Sequence, residues 1–217
     1  MEIQSPTNIV SPFISIWTKP RETIRQIVET DPKKYVLVLA MLAGVSQVLD
    51  RLSTRNYGDS LPVVAILAIG LVLGPIAGII SLYFGGALYR WSGSLLGGQA
   101  SSEEVRAAIA WSSVPTIFAL PLWIPQLLIF GKELFTRETP NIDANPVLLV
   151  IFLSFAFIEI VIGIWGFVVL LKCLGEVNKF SAWKALGSLL IGSLIVLIPI
   201  ICILVSLSPI VGTPFTR

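Results

Sequence analysis

The sequence predicts an all-α, polytopic integral membrane protein with five transmembrane helices and an N-terminal interfacial amphipathic helix. Three observations predict it. Of 217 residues, 55% are hydrophobic and 13% charged, and the mean hydropathy is +0.87. That balance excludes an ordinary soluble domain and a disordered chain. Five apolar segments are separated by polar, turn-forming stretches. One of them, Val147 to Leu171, reads VLLVIFLSFAFIEIVIGIWGFVVLL and carries a single charge, Glu159. A hydrocarbon core takes about 20 apolar residues to cross, so this segment spans, and its acid falls near the midplane.

The spans are expected at about residues 35–50, 61–89, 104–130, 146–172 and 183–207, preceded by an N-terminal segment 1–34 and followed by a tail 208–217. Helix-start chemistry supports these limits. Asp31-Pro32 and Asn145-Pro146 each place an acceptor before a proline whose missing N–H costs nothing at a first helical position. Ser101 with Glu104 fits a capping box, and Ser181 is placed to cap the fifth helix.

Residues 9–30, IVSPFISIWTKPRETIRQIVET, are too charged and proline-broken to span. Trp17 shares an apolar face with Ile24 and Ile27, while Arg21 and Arg25 lie opposite. The pattern reads as a helix lying in the interface with its basic side toward anionic headgroups, or as a helix packed onto the ends of the spans. No cleavable leader is recognised before it.

Lys and Arg orient the chain. Ten lie in residues 1–34 and the second and fourth connections, and five on the opposite side. The N-terminus is therefore expected in the cytoplasm and the C-terminus outside, in a bacterial-type inner membrane.

The second span carries Gly70, Gly74 and Gly78, with Ser81 and Gly85 on an adjacent strip. Small residues at this spacing let helix backbones approach closely where lipid supplies no hydrophobic drive. They serve packing within the chain or between copies of it. Pro75 interrupts the same span. The third span has Pro115, Pro121 and Pro125, each removing an N–H and crowding the preceding turn, so a straight helix is not expected there.

Glu159 is the one sharp candidate site. An intramembrane carboxyl is either neutralised or hydrogen-bonded in packing, or handles protons or cations. Gln126 and Gln47 are the amides placed to accompany it, with Tyr83, Trp111, Ser112 and Ser113 as further neighbours. No second acidic residue is expected at its depth.

No histidine is present, which removes Ser-His and Cys-His nucleophile systems and histidine-metal sites. No phosphate-cradling loop of the glycine-lysine type occurs either. Gly93-Ser94-Leu95-Leu96-Gly97-Gly98 reads as a flexible loop. The two cysteines, Cys173 and Cys202, are not expected to pair. Cys173 reads as a plain thiol or an acylation site. The expectation is a protein with no catalytic residue, no metal and no cofactor.

Lys19-Pro20-Arg21-Glu22-Thr23-Ile24 precedes the first span, and Leu96-Gly97-Gly98 then Ser101 precedes the third. Trp111-Ser112-Ser113-Val114-Pro115 follows within it. In this order the motifs resemble the Yip family of Ypt/Rab-interacting membrane proteins, in its short prokaryote-type form. The resemblance covers roughly residues 12–207. It implies a five-span helical domain with a cytoplasmic N-terminus and no catalytic residue. It marks Pro20, Glu22, Gly97, Gly98 and Pro115 as family-pattern positions. Eukaryotic relatives are adaptors for prenylated small GTPases, but residues 1–34 hold none of their long acidic, aromatic region.

Two functions follow as expectations. One is a non-catalytic membrane-organising or partner-binding module, similar to a trafficking adaptor. Its partners are the lipid bilayer and a membrane or small-GTPase-like protein, with no nucleic acid, and a homo-oligomer is one form it takes. The other is a small channel or transporter for ions, protons or lipids, working through Glu159 and the broken third span.

Overall fold

The computed structural model describes residues 11–211. They form helices α1 (Pro12–Thr18), α2 (Pro20–Thr30), α3 (Val36–Thr54), α4 (Val63–Leu95), α5 (Ser102–Ser112), α6 (Val114–Ile117), α7 (Trp123–Phe130), α8 (Pro140–Ala144), α9 (Pro146–Val177) and α10 (Ala182–Val211). Three short 3-10 turns join them, and no strand occurs among the described residues. Five stretches are long and apolar enough to cross a membrane: Val36–Thr54, Val63–Leu95, Ser102–Phe135, Pro146–Val177 and Ala182–Pro199. The third is assembled from α5, α6, α7 and two 3-10 turns rather than from one helix.

The caps divide into those that form and one that does not. Asn145 accepts from the N–H groups of Val147 and Leu148, so α9 begins where a side chain satisfies its first free donors. The Ser101–Glu104 capping box closes at α5 in both directions. Ser181 Oγ accepts from Lys184 N at 3.3 Å. Asp31-Pro32 does not cap the first span. Asp31 ends α2 and its carboxylate takes the Lys33 N–H, while Tyr35 turns left-handed (φ 59°) so that α3 starts only at Val36. The fifth helix continues to Val211, beyond the expected end near residue 207, and residues 212–217 of the expected tail lie outside the described residues.

The N-terminal amphipathic stretch is two helices, because Pro20 cannot continue α1 and instead opens α2. Their shared apolar face is spent inside the protein. Ile16 and Ile24 are fully buried, among Trp111, Val169, Cys173 and Leu174. A second apolar cluster lies toward the other end of the bundle, built from Val45, Leu49, Leu52, Ile66, Phe130, Leu134, Phe135 and Ile142.

The tightest seam is α3 on α4. Gly70, Gly74 and Gly78 all face α3, where Gly44 supplies the matching gap. A Cβ added to Gly78 would collide with the Ala40 carbonyl, and one on Gly74 would sit 2.6 Å from the Val45 Cα. Backbones therefore touch, with no room for a methyl. Ser81 and Gly85 do not belong to this seam. Ser81 is exposed, and Gly85 meets only Tyr89 of its own helix. A period of four carries the buried stripe on to Leu82 and Gly86 instead. Helix α4 runs through Pro75 without interruption.

Candidate functional site

The breaks in the third span have local causes. Ser113 ends α5, and Pro115 sits in the first turn of α6, buried. Pro121 lies in a 3-10 turn, and Pro125 sits in the first turn of α7. None of the three interrupts an intact α-helix interior, where proline costs about 3 kcal/mol. They instead restart the chain in short pieces. Consequently the span does not fill the space between α3 and α9, and a cleft of about 470 Å³ opens there.

Its lining is mixed. Helix α3 contributes Ser46, Asp50, Ser53 and Thr54, and α6 contributes Thr116. Trp123 and Gln126 come from α7, while Phe152, Phe155 and Glu159 come from α9. Glu159 lies about 20 Å along α9 from Pro146 at 1.5 Å per residue. Its carboxylate accepts a 2.6 Å hydrogen bond from Gln126 Nε2. Gln126 is only 5% exposed, so this is a placed amide rather than a wandering surface side chain.

The structure separates the expected companions of Glu159. Gln126 joins it. Gln47 does not: it is exposed on α3 and does not line the cleft. Ser46 and Asp50, four residues apart, line the cleft instead. Trp111 Nε1 donates instead to the Lys34 carbonyl, and Ser112 and Ser113 donate to carbonyls of their own helix. Tyr83 is exposed, with Arg106 over its ring at 4.9 Å.

Asp50 is the residue that hydropathy reasoning missed. It lines the same cleft as Glu159, so the acid is not alone. It sits beside Arg51 at a predicted span boundary, where flanking charges are ordinary. The signal available was its spacing from Ser46 and Ser53, which draws one polar stripe down α3. No lysine or arginine lines the cleft.

At the other end of the bundle, Glu176 of α9 receives Arg25 at 2.6 Å and Arg21 at 3.9 Å. Its side chain is 15% exposed, whereas both arginines are about half exposed. The hydrogen bond and charge of Glu176 raise the Arg25 guanidinium above its ordinary value. Trp165 Nε1 donates to the Trp17 carbonyl, and Trp17 meets Phe118 edge-on. Arg21, Arg25 and Trp17 thus hold α1 and α2 to the spans.

The family-pattern positions build turns and seams. The Pro20 carbonyl accepts the buried Cys173 thiol at 3.8 Å, so that cysteine has no exposure for an acyl chain. The side chain of Cys202 lies outside the described residues. Glu22 pairs with Lys19 on the surface. Gly97 takes φ +81°, a left-handed value suited to glycine. Gly98 leaves no room for a Cβ against Asn178, itself buried and bonded to the Leu174 carbonyl. The glycine-rich loop is therefore pinned to the end of α9 rather than free.

A model of the Yip1 domain matches residues 14–207. The chain belongs to the Yip1 domain family. The match takes in the N-terminal pair of helices as well as the spans, in keeping with their shared core. Neither curated proteins nor solved structures contain a match to this Yip family chain. Its five-span, all-helical architecture is that of a membrane protein.

Proposed function

We propose that this Yip family protein is a non-catalytic membrane module that holds a cationic group in the cleft between α3 and α9, and organises membrane or protein partners around it. One observation carries this reading: two carboxylates, Asp50 and Glu159, face one cavity that no basic side chain enters. Acids within a membrane protein are expensive and face partners or water. Here the protein offers Glu159 one amide and no basic partner.

The test is cation-dependent thermal stability of the detergent-solubilised protein, wild type against Glu159→Gln. Stabilisation by monovalent cations in the wild type, and its loss in the variant, supports the reading. Identical curves overturn it.

The broken third span favours a second reading, transport of an ion, proton or lipid through the same cleft. Vesicles loaded with a pH-sensitive or potassium-sensitive dye decide it. Flux lost in Glu159→Gln, with folding retained, supports transport, and its absence in the wild type excludes it.

We place the N-terminus in the cytoplasm of a bacterial-type inner membrane on the lysine and arginine distribution. A partner of the small-GTPase kind, if engaged, meets the outer face of α2, where Arg21, Glu22, Arg25 and Glu29 are exposed. Exchanging Glu22 and Glu29 for lysine leaves the buried face intact. Unchanged recovery of a prenylated GTPase by that variant removes this surface from consideration. The same preparation, run by light scattering, tests whether the chain is a homo-oligomer.

A further inference from the structure

Besides the serine and threonine hydroxyls, three groups in the cleft are acceptors. Asp50 and Glu159 are carboxylates. The third is Gln126 Oε1. The Gln126 nitrogen is spent on Glu159, the oxygen receives no protein donor, and no buried side-chain nitrogen or oxygen among the described residues lacks a partner. With the residue 5% exposed, that oxygen can only open into the cleft. An occupant must therefore bring donors and positive charge.

The remaining lining says which kind of cation. Trp123, Phe152, Phe155 and Ile160 make the walls mostly apolar. Hard metal ions take about six oxygen ligands, and no group of three acidic, histidine or cysteine side chains gathers among the described residues. A hydrated ion would leave the aromatic walls unused. An ammonium on a hydrocarbon tail uses both parts: N–H donors to the three acceptors, and carbon against the rings. The site is also reachable from lipid. Ile160 is 59% exposed and Gly163 is open, both at mid-length of α9 on the edge of the cleft.

We propose that this cleft binds a protonated primary amine carried on a hydrocarbon tail, from a lipid headgroup or from a soluble alkylamine. The proposal rests on the cation-binding reading above and narrows it to one chemical class.

The full chain in phosphatidylcholine nanodiscs is titrated with n-hexylammonium, 1-hexanol and potassium, following tryptophan fluorescence. Saturable hexylammonium binding is expected, at least tenfold tighter than 1-hexanol, and at least tenfold weaker in both Glu159→Gln and Asp50→Asn. Trp123→Phe keeps both acids and should remove most of the signal, which locates the probe even where an acid variant fails to fold. Equal response to hexylammonium and 1-hexanol, or a signal unaffected by Trp123→Phe, overturns the proposal. Potassium binding without hexylammonium binding also overturns it while leaving the cation site standing. Silence from both cations sinks the two readings together. Repeating the titration in phosphatidylethanolamine discs names the source. A weaker apparent affinity there supports a lipid amine as occupant, and an unchanged one supports the soluble amine.

Discussion

Helix α3 has two faces that live under opposite rules. Toward α4 it presents Ala40, Gly44, Val45 and Leu49, and backbone meets backbone. Toward α9 it presents Ser46, Asp50 and Ser53, and a 470 Å³ cleft intervenes. The closed face contains no charged side chain and the open face no tight seam. In a bilayer, van der Waals contact is the main attraction between helices. The protein therefore concentrates that contact where shape alone is needed, and on the polar stripe makes a hydrogen bond instead, from Ser53 to the Leu134 carbonyl. Rigidity on one side lets the other side stay open.

Substitutions break the comparison in order of size. Gly78→Leu should cost the most, more than about 3 kcal/mol, because a side chain there meets backbone that cannot repack. Loss of the folded protein in thermal denaturation is expected, and a wild-type melting curve would show that α3 and α4 do not touch. Gln126→Leu should cost about 1–3 kcal/mol by stranding Glu159 in the cleft wall. If the double change with Glu159→Gln costs the same as the sum of the single changes, the two side chains are not coupled. Glu176→Gln should cost about 1 kcal/mol, since both arginine partners remain half in solvent. Its effect should shrink at high salt, as urea unfolding at two ionic strengths would reveal. Gly85→Ala should stay within about 0.5 kcal/mol, having open space to occupy. A large loss there would mean that the buried stripe of α4 is wider than Gly70, Gly74, Gly78 and Gly86.

Legibility followed the range of the interaction involved. Spans and caps depend on neighbours a few residues away, so hydropathy, Asn145 and Ser101 sufficed. The glycine seam was half visible. Gly70, Gly74 and Gly78 declare a face, whereas Gly44 on the partner helix has only Ala40, four residues before it, to announce it. The site was half visible too. Gln126 stood out as an amide in an apolar run, and the structure puts it on Glu159. Asp50 was hidden because charges at span ends are ordinary, and only the third dimension brings it, still exposed, to the cleft that Glu159 lines. The double role of α1 and α2 could not be read either, since the basic amphipathic pattern of a surface helix is shared by one that docks on protein.

Helix α9 has a consequence for anyone purifying this protein. From its start past its middle it offers Val150, Leu153, Phe157 and Ile164 to the surroundings, each more than half bare. Acyl chains are thus the missing wall of the architecture. A short or poorly chosen detergent would remove part of the building rather than merely change its bath, and the melting temperature should track amphiphile chain length as closely as it tracks mutation.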